Sequence, residues 1–202
     1  MESNKQQVAI VLYPEVEVLD VAGPAEVFSS QGSYNVYSLA QTLKPVRTAN
    51  GLSLMPDDTF HSRIKPDIVI VPGGNSLSAL NNTELLQGVK ALSIRANLIL
   101  SVCTGALLLA KAGLLDGCPA TTYHTAYKQL KSLAPTCEVV TNQRFVDCGR
   151  IITTAGVSAG IDGALHIIQR HFGQQEAEQV ASQIEYPHWQ ETVGQVRISA
   201  RG

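Results

Sequence analysis

The chain has little that would mark it for a nucleic acid, a membrane or an oxidising compartment. Its 15 Lys and Arg are set against 17 Asp and Glu, for a formal net charge of −2, and the pI is near 6.2. A basic face, the electrostatic footprint of nucleic-acid binding, is therefore not expected. The opening MESNKQQVAIVLYP has no basic segment followed by an apolar core and a small-residue cleavage site, so no secretory leader is expected. The most membrane-like stretch runs from Ala96 to Leu115, about 20 mostly apolar or small residues. Lys111 sits inside it and Ser101, Cys103, Thr104 and Gly105 interrupt its middle, which favours a buried strand followed by a buried helix. No repeat, low-complexity block or linker breaks the chain, so a single domain over 1–202 is expected.

Cysteine is also scarce. Cys103, Cys118, Cys137 and Cys148 form no C-x-x-C, and no His pair at metal-ligand spacing accompanies them. Structural zinc is not expected, nor any other metal or cofactor. Without a leader the thiols should be reduced and the protein cytoplasmic. Most of them should be inert core residues, because a free Cys packs as a small hydrophobe.

What is present is a globular composition: 45% apolar and 16% charged residues. Short apolar runs alternate with helical patterns. Strands are predicted at Gln7–Leu12, Tyr34–Leu39, Asp67–Val71, Asn97–Val102, Ala120–Thr122, Glu138–Thr141 and within Arg144–Thr153. Helices are predicted at Leu19–Ser29, from Thr83 to Arg95, at Thr104–Lys111, Thr125–Leu133, Gly156–Phe172 and Gln174–Ile184. Asn50-Gly51 marks a hairpin within Arg47–Met55. Such alternation implies an α/β fold with a mostly parallel sheet and helices on both faces. Ligands of such sheets bind beyond the carboxyl ends of the strands. Three loops then matter: the one from Leu12 to Asp20, Pro72-Gly73-Gly74-Asn75, and Val102-Cys103-Thr104-Gly105.

The third loop puts a thiol directly between a strand and a helix, with small residues two positions to either side (Ser101, Gly105). That is the pattern of a nucleophile elbow, with Cys in place of Ser. A helix N-terminus favours thiolate, so a lowered pKa is expected at Cys103. The amides of Thr104 and Gly105 are candidate donors to a developing anion, and Gly74 or Asn75 a candidate second donor. Asp20 reads either as the N-cap of its helix or as a carboxyl beside the thiol, with its pKa raised for proton delivery. His124 is a candidate base that sequence cannot place. His61, His166, His171 and His188 have no motif around them, and His166 reads as a satisfied partner inside an apolar helix. Pro187 to Gly202, with His188 and Trp189, could cover the cleft or an interface.

Together these loops resemble the ThiJ/PfpI superfamily, with the class I glutamine-amidotransferase-like fold. The matching segments are LDVAGPAEVF, DIVIVPGGN, SVCTGALLLAKAGLLDG, ATTYH and TTAGVSAGIDGALHII, from Val8 to about Tyr186. The branch they look most like holds isonitrile hydratase and the sensor domains of AraC-type regulators. The resemblance implies a flavodoxin-like three-layer sandwich, a homodimer, Cys103 as nucleophile and Asp20 as its acidic partner. Thr104 stands where the similar peptidases carry His, which argues against proteolysis. The stretch after the long helix is too short for the regulators' DNA-binding domain, and Tyr123 interrupts the ATTH form of that branch. The implied partner is a small electrophile, with no nucleic acid or membrane. The implied activity is hydration of an isonitrile to an N-substituted formamide; glyoxalase- or deglycase-like chemistry on reactive carbonyls and a non-enzymatic ligand- or redox-sensing role are the alternatives.

Overall fold

A computed structural model of the chain describes residues 5–187, 189 and 194–196. His188 and most of the stretch beyond Pro187 lie outside the described residues. The order of elements is β1 (Gln6–Val11), α1 (Val18–Gln31), β2 (Tyr34–Ala40), β3 (Val46–Arg47), β4 (Ser53–Leu54), β5 (Asp58–Thr59), β6 (Ile68–Val71), α2 (Ser76–Leu80) and α3 (Thr83–Arg95). There follow β7 (Leu98–Ser101), α4 (Gly105–Lys111), β8 (Pro119–Ala120), a 3-10 turn (His124–Ala126), α5 (Tyr127–Leu133), β9 (Glu138–Val139), β10 (Phe145–Asp147), β11 (Ile151–Thr154), α6 (Ala159–Phe172), α7 (Gln174–Gln183) and β12 (Gly194–Val196).

Eight strands form the central sheet in the order β12-β10-β11-β7-β6-β1-β2-β5. Every pairing in it is parallel except β10 with β11. The middle strands read IVIV and LILS, and all their residues are buried. Unbroken apolar runs of that kind need cover on both faces. Helices α1, α6 and α7 pack together as one group, and α2 to α5 as another. The result is the three-layer, flavodoxin-like α/β architecture that the sequence implies.

Several local expectations change in detail. Helix α3 begins at Thr83, as expected, and is capped by Asn82, whose side chain accepts from the Leu85 amide. The last long helix begins at Ala159, not Gly156, because residues 155–158 form a loop. The Asn50-Gly51 hairpin is present as β3 and β4, and its Asn50 Oδ1 accepts from the Val18 amide at the start of α1. His166 is buried against Asp147, with Nε2 2.7 Å from Oδ2, the partner expected for it.

The β7–α4 junction is close-packed against β6. The Val102 amide donates to Val71 O at 3.0 Å and the Gly105 amide to Val102 O at 2.9 Å. A Cβ on Gly105 would collide with the Val71 carbonyl oxygen. Backbone on both sides leaves no flexible side chain to yield. Gly105→Ala should therefore destabilise the protein by about 3 kcal/mol or more, read as a lowered urea midpoint with little change in slope.

Candidate functional site

Cys103 follows β7 and its backbone is left-handed, with φ +56°. A non-glycine residue rarely holds that conformation without support. Four contacts supply the support. The Cys103 amide donates to Ala155 O at 3.0 Å, and the Thr122 hydroxyl donates to Cys103 O at 2.8 Å. The amides of Thr104 and Val157 face the sulfur as hydrogen-bond donors. Val157 is itself left-handed, φ +50°, and that unusual turn aims its N–H at the thiol. The side chain is held nearly out of solvent, 7% exposed.

Asp20 stands beside it. The residue preceding α1 is Glu17, which makes no side-chain cap. Asp20 is within the first turn and fully buried, so its reading as an N-cap is corrected. Its Oδ2 accepts from the Gly73 amide at 2.8 Å, while Oδ1 has no hydrogen-bond partner of its own. The Asn50 side chain, arriving from the β3–β4 hairpin, does the capping instead. This frees the Asp20 carboxyl to face the thiol. Gly73 makes the approach possible: a Cβ there would come within 2.6 Å of Thr104 N and Oγ1 and 2.9 Å of Asp20 Oδ2.

The first two loops are laced together. Glu17 N donates to Gly73 O at 2.9 Å, Asn75 N donates to Glu15 O at 3.0 Å, and Val16 bridges Gly74. This lacing decides the fate of the candidate anion donors. The Gly105 amide is committed to Val102 O, that of Gly74 to Thr104 Oγ1, and that of Asn75 to Glu15 O. Only Thr104, of the four, turns its amide to the sulfur. Its partner in that role is Val157, from the loop after β11, where the sequence pattern predicts the start of a helix. The small-residue run Ala155–Gly160 after an apolar strand was the available signal. His124 is exposed, and its ring lies 4.3 Å from that of Tyr123. Tyr123, in turn, is packed over Gly156, next to Val157.

Electrostatics overturn one expectation. Burial, and then the charge of Asp20, push the Cys103 thiol up to about 12, against the two amides that favour thiolate. Both causes favour the thiol over the thiolate. Burial is also the main cause that raises Asp20 to about 7, with the Glu17 charge adding to it. Tyr13 is also fully buried and donates to Pro72 O at 2.9 Å; burial, then the charges of Asp20 and Cys103, raise its phenol. A buried carboxyl with one free oxygen, next to a thiol with two amide donors, can pass a proton to or from whatever the sulfur attacks.

Residues 6–170 match the model of the DJ-1/PfpI family. The chain belongs to that family. It is 37% identical over 182 residues to an isonitrile hydratase of Pseudomonas putida, spanning 89% of this chain and 78% of that protein. A solved ThiJ/PfpI family protein from Pseudomonas syringae superposes with a TM-score of 0.85 at 32% identity, over 93% of this chain and 78% of the other. The transcriptional regulator GbdR of Pseudomonas aeruginosa is 25% identical over 189 residues, and this chain spans 51% of it. Membership of the DJ-1/PfpI family accounts for the motifs from LDVAGPAEVF to TTAGVSAG.

The remaining expected features fall elsewhere. Trp189 packs at the end of α7, lining a cavity of about 510 Å³ with Glu178, Glu185 and Tyr186. No helix among the described residues is long and apolar enough to cross a membrane.

The Asp20–Cys103 pair makes two measurable demands. Asp20→Asn removes the charge that helps hold the thiol up, so alkylation of Cys103 at pH 8.5 should accelerate by about tenfold for each unit the pKa falls. Unchanged or slower alkylation would contradict the arrangement. The same variant tests stability. The folded protein holds the Asp20 proton near 7 rather than 3.8, so the stability it contributes is present below 3.8 and is lost as pH rises through about 7. Asp20→Asn should be the more stable form at pH 8, by on the order of a few kcal/mol, with the gap closing towards pH 4.

Proposed function

We propose that this protein is a thiol-dependent hydratase of small isonitriles, with Cys103 as nucleophile and Asp20 as proton carrier. The observation that carries the reading is the buried Asp20 carboxyl, raised to about 7 beside Cys103. Identity of 37% to the Pseudomonas putida isonitrile hydratase supports the same substrate class.

The sulfur attacks the terminal carbon of R–N≡C while its proton passes to the Asp20 carboxylate. Asp20 then delivers that proton to the same carbon, giving a thioimidate, R–N=CH–S–Cys103. Water adds to the carbon, the C–S bond breaks and the sulfur recovers a proton. The product is R–NH–CHO. The amides of Thr104 and Val157 stabilise the sulfur as it gains and sheds negative charge. Thr104, committed through its hydroxyl to Gly74, supplies no base, in keeping with a reaction other than peptide hydrolysis. The proposal includes a homodimer acting in the cytoplasm on a small electrophile.

The active form carries one proton on the Cys103–Asp20 pair. Below pH 7 a second proton fills the carboxylate that must accept from the thiol. The rate with an alkyl isonitrile, followed as formamide by proton NMR, should rise about tenfold per pH unit up to about 7 and then level off. Asp20→Asn should lose that inflection, and Cys103→Ser should lose at least about a hundredfold in kcat/KM. Formamide production at the wild-type rate by Cys103→Ser, or none by the wild type while methylglyoxal is consumed, rejects the reading.

A further inference from the structure

Three of the four cysteines gather at the far end of β11 from Cys103. Cys118 lies in the turn before β8 and Cys148 in the hairpin turn between β10 and β11. Their Sγ atoms are 2.8 Å apart, with the Cys148 thiol donating to Cys118 Sγ. Both side chains are partly exposed and both are free thiols. They are not the inert core residues that cysteine usage suggests; only Cys137, fully buried behind them, fits that description.

Backbone contacts hold the two turns in place. Cys118 N donates to Leu115 O at 3.1 Å, and Gly117 N to Thr136 Oγ1 at 3.1 Å. Across from them, Cys148 N donates to Ile151 O at 2.9 Å and Gly149 N to Asp147 Oδ1 at 2.7 Å. A disulfide bond is about 2.05 Å long, so the sulfurs need approach by less than about 1 Å. Among the described residues no three His, Cys, Asp or Glu side chains converge as a metal-binding set, which leaves a dithiol.

We propose that Cys118 and Cys148 form a peroxide-driven dithiol–disulfide pair, a modification site separate from Cys103. Cys118, whose sulfur receives the hydrogen bond, is the first to react. It attacks hydrogen peroxide, the O–O bond breaks, and a sulfenic acid and one water form. The Cys148 sulfur then displaces the sulfenic oxygen as a second water. Two thiols and one peroxide become one disulfide and two waters. Burial and the neighbouring Cys118 push the Cys148 thiol up, so it is not the first of the two to meet the peroxide. The bond joins residues 30 apart in the chain and staples the small β8–β9 sheet to the β10–β11 edge of the main one.

The test uses full-length Cys103→Ser protein, so that the buried thiol does not compete. It is treated with stoichiometric hydrogen peroxide, blocked with N-ethylmaleimide, digested without reductant and analysed by mass spectrometry. A linked Cys118–Cys148 peptide is expected, lighter by about 2 Da than the two reduced peptides and separated again by dithiothreitol. The thermal midpoint should rise by roughly 5 °C or more on oxidation and return on reduction. Cys118→Ser and Cys148→Ser should each abolish both effects while keeping the reduced protein's midpoint within about 2 °C; Cys137→Ser should keep the link. Sulfinic acid on Cys118 with Cys148 still free, a Cys118–Cys137 link, or a link between two chains as the main product overturns the proposal.

Discussion

One buried hydrogen bond, from the Gly73 amide to Asp20 Oδ2, sets the terms for the rest of the site. It fixes helix α1 against the loop after β6 at the point where the loop after β7 turns into α4. With Oδ2 engaged, the carboxyl presents one unpartnered oxygen in a space from which water is largely excluded. Both halves of the chemistry follow. Burial disfavours the charged form of both groups, and the nearby carboxylate charge, when present, pushes the thiol up further. In the proposed reaction neither group acts alone: the proton one loses is held by the other.

The supports for that contact come from far along the chain. The β3–β4 hairpin lends Asn50 to the start of α1, which relieves Asp20 of capping. The Glu15–Glu17 segment is hydrogen-bonded to Gly73–Asn75. Thr122 holds the Cys103 carbonyl, and the loop after β11 supplies an acceptor for its amide and a donor for its sulfur. The left-handed backbone at Cys103 is thus over-determined, as strain at a reactive residue requires.

How much of this was legible in the sequence depends on the range of the interaction. The central strands were readable because burial on both faces leaves unbroken apolar runs such as Ile68–Val71 and Leu98–Ser101. The short α2 and β5 were not, since five and two residues carry no period. The elbow at Cys103 was readable because Ser101 and Gly105 are local to it. Asp20 was readable as a candidate, but its role hinged on Asn50, a residue with no sequence tie to it. The amides of Gly74, Asn75 and Gly105 looked free because sequence does not show which acceptors a fold brings near. The direction of the Cys103 shift was missed for the same reason: helix position is a local property, whereas burial and the nearness of Asp20 belong to the assembled fold. The Cys118–Cys148 contact joins two turns that no spacing rule connects.

Val157 has one more consequence, in the order of assembly. The residues around the Cys103 sulfur and the Asp20 carboxyl run from Tyr13 to Val157, so the site is incomplete until β11 has docked beside β7. In a chain made from its N-terminus, the thiol is synthesised before the strand and loop that cover it. Docking of β11 beside β7 completes its burial and brings the Val157 amide to its sulfur.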